Sequence, residues 1–174
     1  TSHTGVEVYA ADRDNYSPKR LAVAGRLRAA IEQGAIDLHY QPQINLATGQ
    51  VEAVEALARW HDPGRGDVPP MEFIEVAERT DLIHPLTRHV LRTAIDQASR
   101  WQRAGQPTRA AVNIPARNLT EPDLVRSIGR LLDAQGLPPT LLEIELTETT
   151  IMANPTLATS VIARGHRASV DVGH

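Results

Sequence analysis

The sequence predicts an α/β fold in which a mainly parallel sheet is covered by helices and opened by one antiparallel strand, as in part of a TIM-like barrel. Three observations carry this. From about residue 51 onward, strand-like and helix-like runs alternate, an order that requires a parallel sheet with covering helices. Ahead of them, strand-like runs at 38–44 and 51–60 are joined only by Asn45 to Gln50, with Thr48-Gly49 as the turn signal. So short a link permits a hairpin and forbids a parallel crossover. Finally, Glu55, Asn113, Glu145 and Asp171 each lie in or at the end of a strand-like run, the last three spaced by about one strand-plus-helix unit. Oxygen ligands at that spacing suggest a metal site on the rim of a parallel barrel.

Each element has its own local reason. Residues 1–20 are polar and turn-rich apart from Val6-Glu7-Val8-Tyr9, and 11–18 read as a linker. Pro18 can open a helix over 18–33, with Leu21, Ala24, Leu27 and Ile31 on one face and Gly34 as its stop. The Gly- and Pro-dense stretch 61–70 reads as a loop. Helices are predicted at 70–79 and 85–104, the second with Leu86, Val90, Leu91, Ala94, Ile95 and Ala98 on one face. A strand at 108–114, a helix at 122–134, a strand at 141–146, a helix at 155–164 and a strand at 167–172 complete the pattern.

Bulk properties exclude several classes of function. The 174 residues suffice for one domain with a real core. A formal net charge of −3 gives no electrostatic case for duplex nucleic acid as partner. With no cysteine there is no disulfide framework and no thiolate metal site. No apolar run is long enough to cross a bilayer, and no charged-then-apolar leader precedes the fold. Thr1 is not an initiator, so the chain reads as an excised or mature piece. The expected location is cytoplasmic, with any membrane anchor elsewhere in the parent protein.

Taken singly, the candidate residues have ordinary readings. Glu55 fits the polar position of an alternating strand, Asn113 fits a turn ahead of Ile114-Pro115, and Arg59 fits a surface ion pair. Glu143 and Glu145 alternate, so both could face solvent.

Their order and context carry more. Tyr40-Gln41-Pro42, Glu55-Ala56-Leu57 with Arg59-Trp60, Pro70 with Phe73-Ile74 and Ala77-Glu78, Val112-Asn113, and Glu145-Leu146-Thr147-Glu148 resemble the EAL domain family, the cyclic-di-GMP-specific phosphodiesterases. The resemblance runs from about Leu21 to Asp171. It implies a barrel with one antiparallel strand and hydrolysis of cyclic di-GMP to the linear dinucleotide pGpG. It implies two Mg²⁺ or Mn²⁺ ions in the complete domain, with Glu55, Asn113, Glu145 and Asp171 among their ligands. Glu148 matches the motif's second acid, so Glu55 and Glu148 are the implied catalytic pair. Gln41, Leu57 and Arg59 match positions that meet the dinucleotide. Hard oxygen donors suit these ions, and a planar guanidinium suits a phosphate.

The resemblance divides the chain into 1–20, a linker or the tail of an upstream GGDEF-like domain, and 21–174, the N-terminal part of an EAL domain. Its implied partners are cyclic di-GMP, an upstream GGDEF or sensor domain, and a second copy in a homodimer. Two departures stand out. Pro115 replaces the family's usual serine, and Val172 replaces the second acid of the strand ending at Asp171. The family's lysine and later acids would follow His174, and a closed barrel typically takes about 250 residues. The chain as written is therefore expected to be inactive. The competing class is a non-catalytic EAL module that binds the nucleotide or a protein.

Overall fold

The computed structural model describes residues 18–146. Helix α1 (Pro18–Gln33) opens on a proline, whose missing N–H is not needed in a first turn, and ends at Gly34 with φ 69°. Its buried stripe is Val23, Leu27, Ala30 and Ile31. Leu21, expected on that face, is 58% exposed. At about 100° per residue it lies more than a quarter turn from a stripe centred on Val23 and Leu27.

Strands β1 (Ile36–Ile44) and β2 (Val51–Asp62) form the expected antiparallel hairpin, with Gln41 opposite Glu55. Asn45 shapes its turn: Oδ1 accepts the N–H groups of Ala47 at 2.8 Å and Thr48 at 3.2 Å, and Gly49 takes φ 70°. The stretch 61–70 is not all loop. Strand β2 runs on to Asp62, and a short strand, β3 (Gly66–Val68), folds back antiparallel on its end. The turn between them is built by Asp62, whose Oδ1 accepts Gly64 N–H at 2.9 Å and whose carbonyl accepts Arg65 N–H at 3.0 Å. Three residues are too few to display alternation, so β3 was hidden behind its turn residues.

Helices α2 (Pro70–Glu78) and α3 (Ile83–Arg103) follow. Helix α3 starts two residues before the expected Pro85, because proline is tolerated within a first turn, where the N–H groups have no intrahelical partner. Next come β4 (Arg109–Asn113), a 3₁₀ turn at Ala116–Thr120, and α4 (Leu124–Gln135), which stops at Gly136 with φ 60°. A second 3₁₀ turn, Pro139–Leu141, leads into β5 (Leu142–Glu145). The predicted helix 155–164 and strand 167–172 lie outside the described residues, as do Glu148 and Asp171.

The sheet order is β1-β2-β4-β5, with β3 attached to β2. Strands β2, β4 and β5 are mutually parallel, Glu55 lying opposite Ala111 and Asn113 opposite Glu145. The period-2 geometry of strands then sorts side chains onto two faces. Val54, Ala56, Trp60, Ala110, Val112, Leu142 and Ile144 join the helices in one core. There Trp60 meets Phe73 edge-on at 6.0 Å, and Tyr40 meets Trp101 at 5.0 Å. Contacts of this kind add about 0.5–1.5 kcal/mol beyond area burial. The odd-numbered residues, Glu55, Leu57, Arg59, Ala111, Asn113, Glu143 and Glu145, take the opposite face. Glu143 and Glu145 are buried there, 8% and 9% exposed, rather than solvent-facing. Arg109 Nε lies 2.9 Å from Glu143 Oε2 and offsets its charge.

Polar contacts lock the helices to the sheet. His89 of α3 is buried, with Nε2 2.8 Å from Ile36 O. Arg26 of α1 pairs with the buried Asp62 at 2.5 Å. The N–H of Gly64, and then Arg26, hold the Asp62 carboxyl below the usual carboxylate range.

Candidate active site

Side chains at the C-terminal ends of parallel strands face a common rim, because every strand delivers its last residues to the same edge. Asn113 closes β4 and Glu145 closes β5. Glu55 stands on β2 where its pairing with β4 ends. Across that gap Asn113 Nδ2 donates to Glu55 Oε1 at 2.7 Å. Gln43 Nε2, from β1, donates to Glu145 Oε1 at 3.2 Å. Gln41 stands opposite Glu55 in the hairpin register and is exposed.

Beside this edge lies a cavity of ≈ 760 Å³ lined by Leu57, Arg59, Ile74, Leu86, Asn113 and Arg117, among others. Asn113 thus belongs both to the polar pair with Glu55 and to the cavity wall. The wall is mainly aliphatic, from α2, α3 and the segment after β4, with Arg59, Arg79, Arg117 and Glu78 as its charges. Arg59 is partly buried, and its Nη1 donates to Ala58 O at 2.9 Å. Among the described residues no carboxylate pairs with Arg59. An apolar cleft with a spare guanidinium suits a ligand with planar rings and a phosphate.

The donor set fits a hard divalent cation. The bond from Asn113 Nδ2 leaves Asn113 Oδ1 and Glu55 Oε2 accepting no hydrogen bond among the described residues. An amide oxygen and a carboxylate oxygen on this pair are the hard donors such a cation takes, with no sulfur or imidazole beside them. Among the described residues no three His, Cys, Asp or Glu side chains converge on a metal-sized site.

Of the sequence-predicted residues, Glu55 and Asn113 are in contact, Leu57 and Arg59 share the cavity with Asn113, and Glu145 stands opposite Asn113 in register. Sequence reasoning passed over Gln43 and Arg117. Gln43 was findable, since its spacing of two from Gln41 puts both on one face of β1. Arg117 carried no local signal.

A family profile described as EAL domain matches residues 24–173. The chain belongs to the EAL domain family. It is 39% identical over 136 residues to the cyclic di-GMP phosphodiesterase PdeR of Escherichia coli (strain K12), covering 78% of this chain and 20% of that protein. It is 35% identical over 135 residues to the cyclic di-GMP phosphodiesterase PA2567 of Pseudomonas aeruginosa, covering 78% and 23%. The chain thus spans about a fifth of the length of these relatives. Among solved structures, the PaMucR phosphodiesterase in complex with c-di-GMP superposes with TM-score 0.78 at 31% identity, over 87% of this chain and 62% of that one. The FimX EAL domain of Xanthomonas citri in complex with c-diGMP superposes with TM-score 0.79 at 27% identity, over 87% and 60%. The EAL domain described here contains no helix long and apolar enough to cross a membrane among its described residues.

Proposed function

We propose that this EAL domain contributes to the hydrolysis of cyclic di-GMP to the linear dinucleotide pGpG in the cytoplasm, with Mg²⁺ or Mn²⁺ as cofactor. The observation that carries the reading is the Asn113–Glu55 pair, 2.7 Å apart, at the edge of a cavity that also holds Leu57 and Arg59. Relatives named as cyclic di-GMP phosphodiesterases support it. Glu55, Glu145 and Asp171 would hold the cations through carboxylate oxygens, and Asn113 through Oδ1. When bound, the ions supply charge stabilisation at the scissile phosphate and a water of lowered pKa.

The chain's own groups do the rest. Arg59 neutralises and orients a phosphate through its planar fork. Leu57 and the aliphatic wall cover a guanine face and exclude water. Gln41, opposite Glu55, offers an amide to the sugar-phosphate edge. Asn113 Nδ2 holds Glu55 in one orientation through Oε1, leaving its second carboxylate oxygen for a cation. Glu148 is the second acid of the motif and is proposed to support the water-activating side. Hydrolysis breaks one P–O bond of the cyclic diester, places a water oxygen on phosphorus, and returns a proton to the departing ribose oxygen.

A binding-only role has one observation in its favour, Val172 in place of an acid in the family motif. The deciding experiment incubates the full-length protein with cyclic di-GMP and Mg²⁺ or Mn²⁺, follows pGpG by chromatography, and measures affinity by calorimetry. Turnover lost in Glu55→Ala supports hydrolysis. Tight binding without turnover supports the binding module.

A further inference from the structure

The segment between β4 and α4 is clamped at two adjacent residues to two different helices. Arg117 reaches α2, its Nη1 donating to Glu78 O and, at 3.0 Å, to Thr80 O, with Nη2 3.6 Å from Asp81 Oδ1. These carbonyls close the C-terminal end of α2, where a cation is favoured by the unsatisfied acceptors. Asn118 reaches α3. It is fully buried, accepts from Thr87 Oγ1 at 3.1 Å, and donates from Nδ2 to Glu121 Oε1 at 2.9 Å. Glu121 in turn pairs with His84 Nδ1 and, at 3.2 Å, with Arg88. His84 Nδ1 lies 3.3 Å from Asn118 Nδ2 as well, but one ring nitrogen cannot both donate to a carboxylate and accept from an amide, and the closer Glu121 contact takes precedence.

The connection to the site is short and stiff. Asn113 and Arg117 are four residues apart, separated by Ile114, Pro115 and Ala116. Ile114 N–H donates to Glu145 O at 2.9 Å, Pro115 has a fixed φ, and Ala116–Thr120 is a 3₁₀ turn. Thr87, Pro115, Ala116 and Arg117 also line the cavity. A displacement of this segment therefore moves the cavity wall and the end of β4 together.

We propose that Arg117 and Asn118 are positioning residues, a two-point clamp that fixes the end of β4 so that Asn113 meets Glu55 and the cavity keeps its width. The proposal rests on the reading of Glu55 and Asn113 as site residues. A shift of about 1 Å at a reacting group costs on the order of 10²-fold in rate, so the clamp acts on turnover more than on substrate affinity.

The test compares Arg117→Ala, Arg117→Lys, Thr87→Val, the exposed control Arg126→Ala, and Glu55→Ala. Thr87→Val keeps shape and removes only the donor to Asn118. In the full-length protein, Arg117→Ala and Thr87→Val are expected to lower kcat for cyclic di-GMP by about 10- to 100-fold with KM little changed. Arg117→Lys, which keeps the cation but not the fork, recovers part of the loss, and Arg126→Ala behaves as wild type. In the 174-residue chain, the side-chain amide resonance of Asn113 should move, in both clamp variants, toward its position in Glu55→Ala. Lowered thermal midpoints with normal kcat and an unmoved Asn113 resonance, while Glu55→Ala is inactive, would overturn the clamp and leave the site reading standing. Normal turnover in Glu55→Ala itself would overturn both.

Discussion

Asn113 gives its amide N–H to Glu55 and keeps its oxygen, and that division of labour sets the chemistry available at the rim. Removing the carboxylate in Glu55→Ala should cost at least about 10²-fold in Mg²⁺-dependent hydrolysis of cyclic di-GMP by the full-length protein, the scale of losing one preorganised electrostatic group. Pseudo-first-order rates of pGpG formation check this, and a loss below tenfold would remove Glu55 from the catalytic role. Asp62, by contrast, is a buried carboxylate, held by Gly64 N–H and Arg26. Its folded pKa lies below the unfolded value of about 3.9. The unfolded chain therefore binds the proton more readily, and stability from this group is present above about pH 4 and lost as pH falls through the folded value. Urea midpoints measured from pH 3 to 7 should drop at the acid end, and the drop should be shallower in Asp62→Asn. Equal slopes in the two proteins would assign the acid sensitivity to other groups.

Among the elements, α2 and α3 hold the sheet through complementary means. Phe73 of α2 is fully buried edge-on to Trp60, so it transmits the position of α2 directly to β2. Phe73→Ala is expected to destabilise the fold by about 3–5 kcal/mol, because a large cavity opens where the helix and strand cannot both relax. Urea denaturation checks the figure, and a loss under about 1 kcal/mol would mean that the helix collapses onto the strand without strain. Most helices were legible because apolar spacing of three and four is a property of the chain itself. Leu86, Val90, Leu91, Ala94, Ile95 and Ala98 of α3 were all read correctly as buried. The stripe of α1 was not, since Leu21 is as apolar as Leu27 and only the neighbouring α2 and β2 select the buried face. Strand β3 escaped notice because its pairing partner, not its own composition, makes it a strand.

At the scale of the molecule, β4 is, among the described strands, the one with parallel neighbours on both sides, β2 and β5. Ala110, Ala111 and Val112 have no exposed surface. Their amides should be the slowest to exchange hydrogen among the described residues, while the hairpin turn at 45–50, where Leu46 is 98% exposed, should exchange fastest. Exchange measured by NMR tests the ranking, and protection at the turn equal to that in β4 would point to a covering surface at the hairpin. The same placement brings the candidate residues to one edge, because an interior strand flanked by two parallel neighbours can present Asn113 between Glu55 and Glu145.

The sequence by itself determined the family, the hairpin and the parallel alternation that follows. Turn residues, loop length and hydrophobic period act over a few neighbours and need no distant partner. It also named Glu55, Asn113 and Glu145, since their strand positions follow from period and order. Only the tertiary structure decided that Asn113 donates to Glu55, that Gln43 reaches Glu145, and that Arg117 and Asn118 tie one segment to two helices. These contacts join residues far apart in sequence, and their geometry depends on how the sheet twists and how the helices settle on it. No local pattern encodes that, because each partner is ordinary until the fold brings the other within hydrogen-bonding distance.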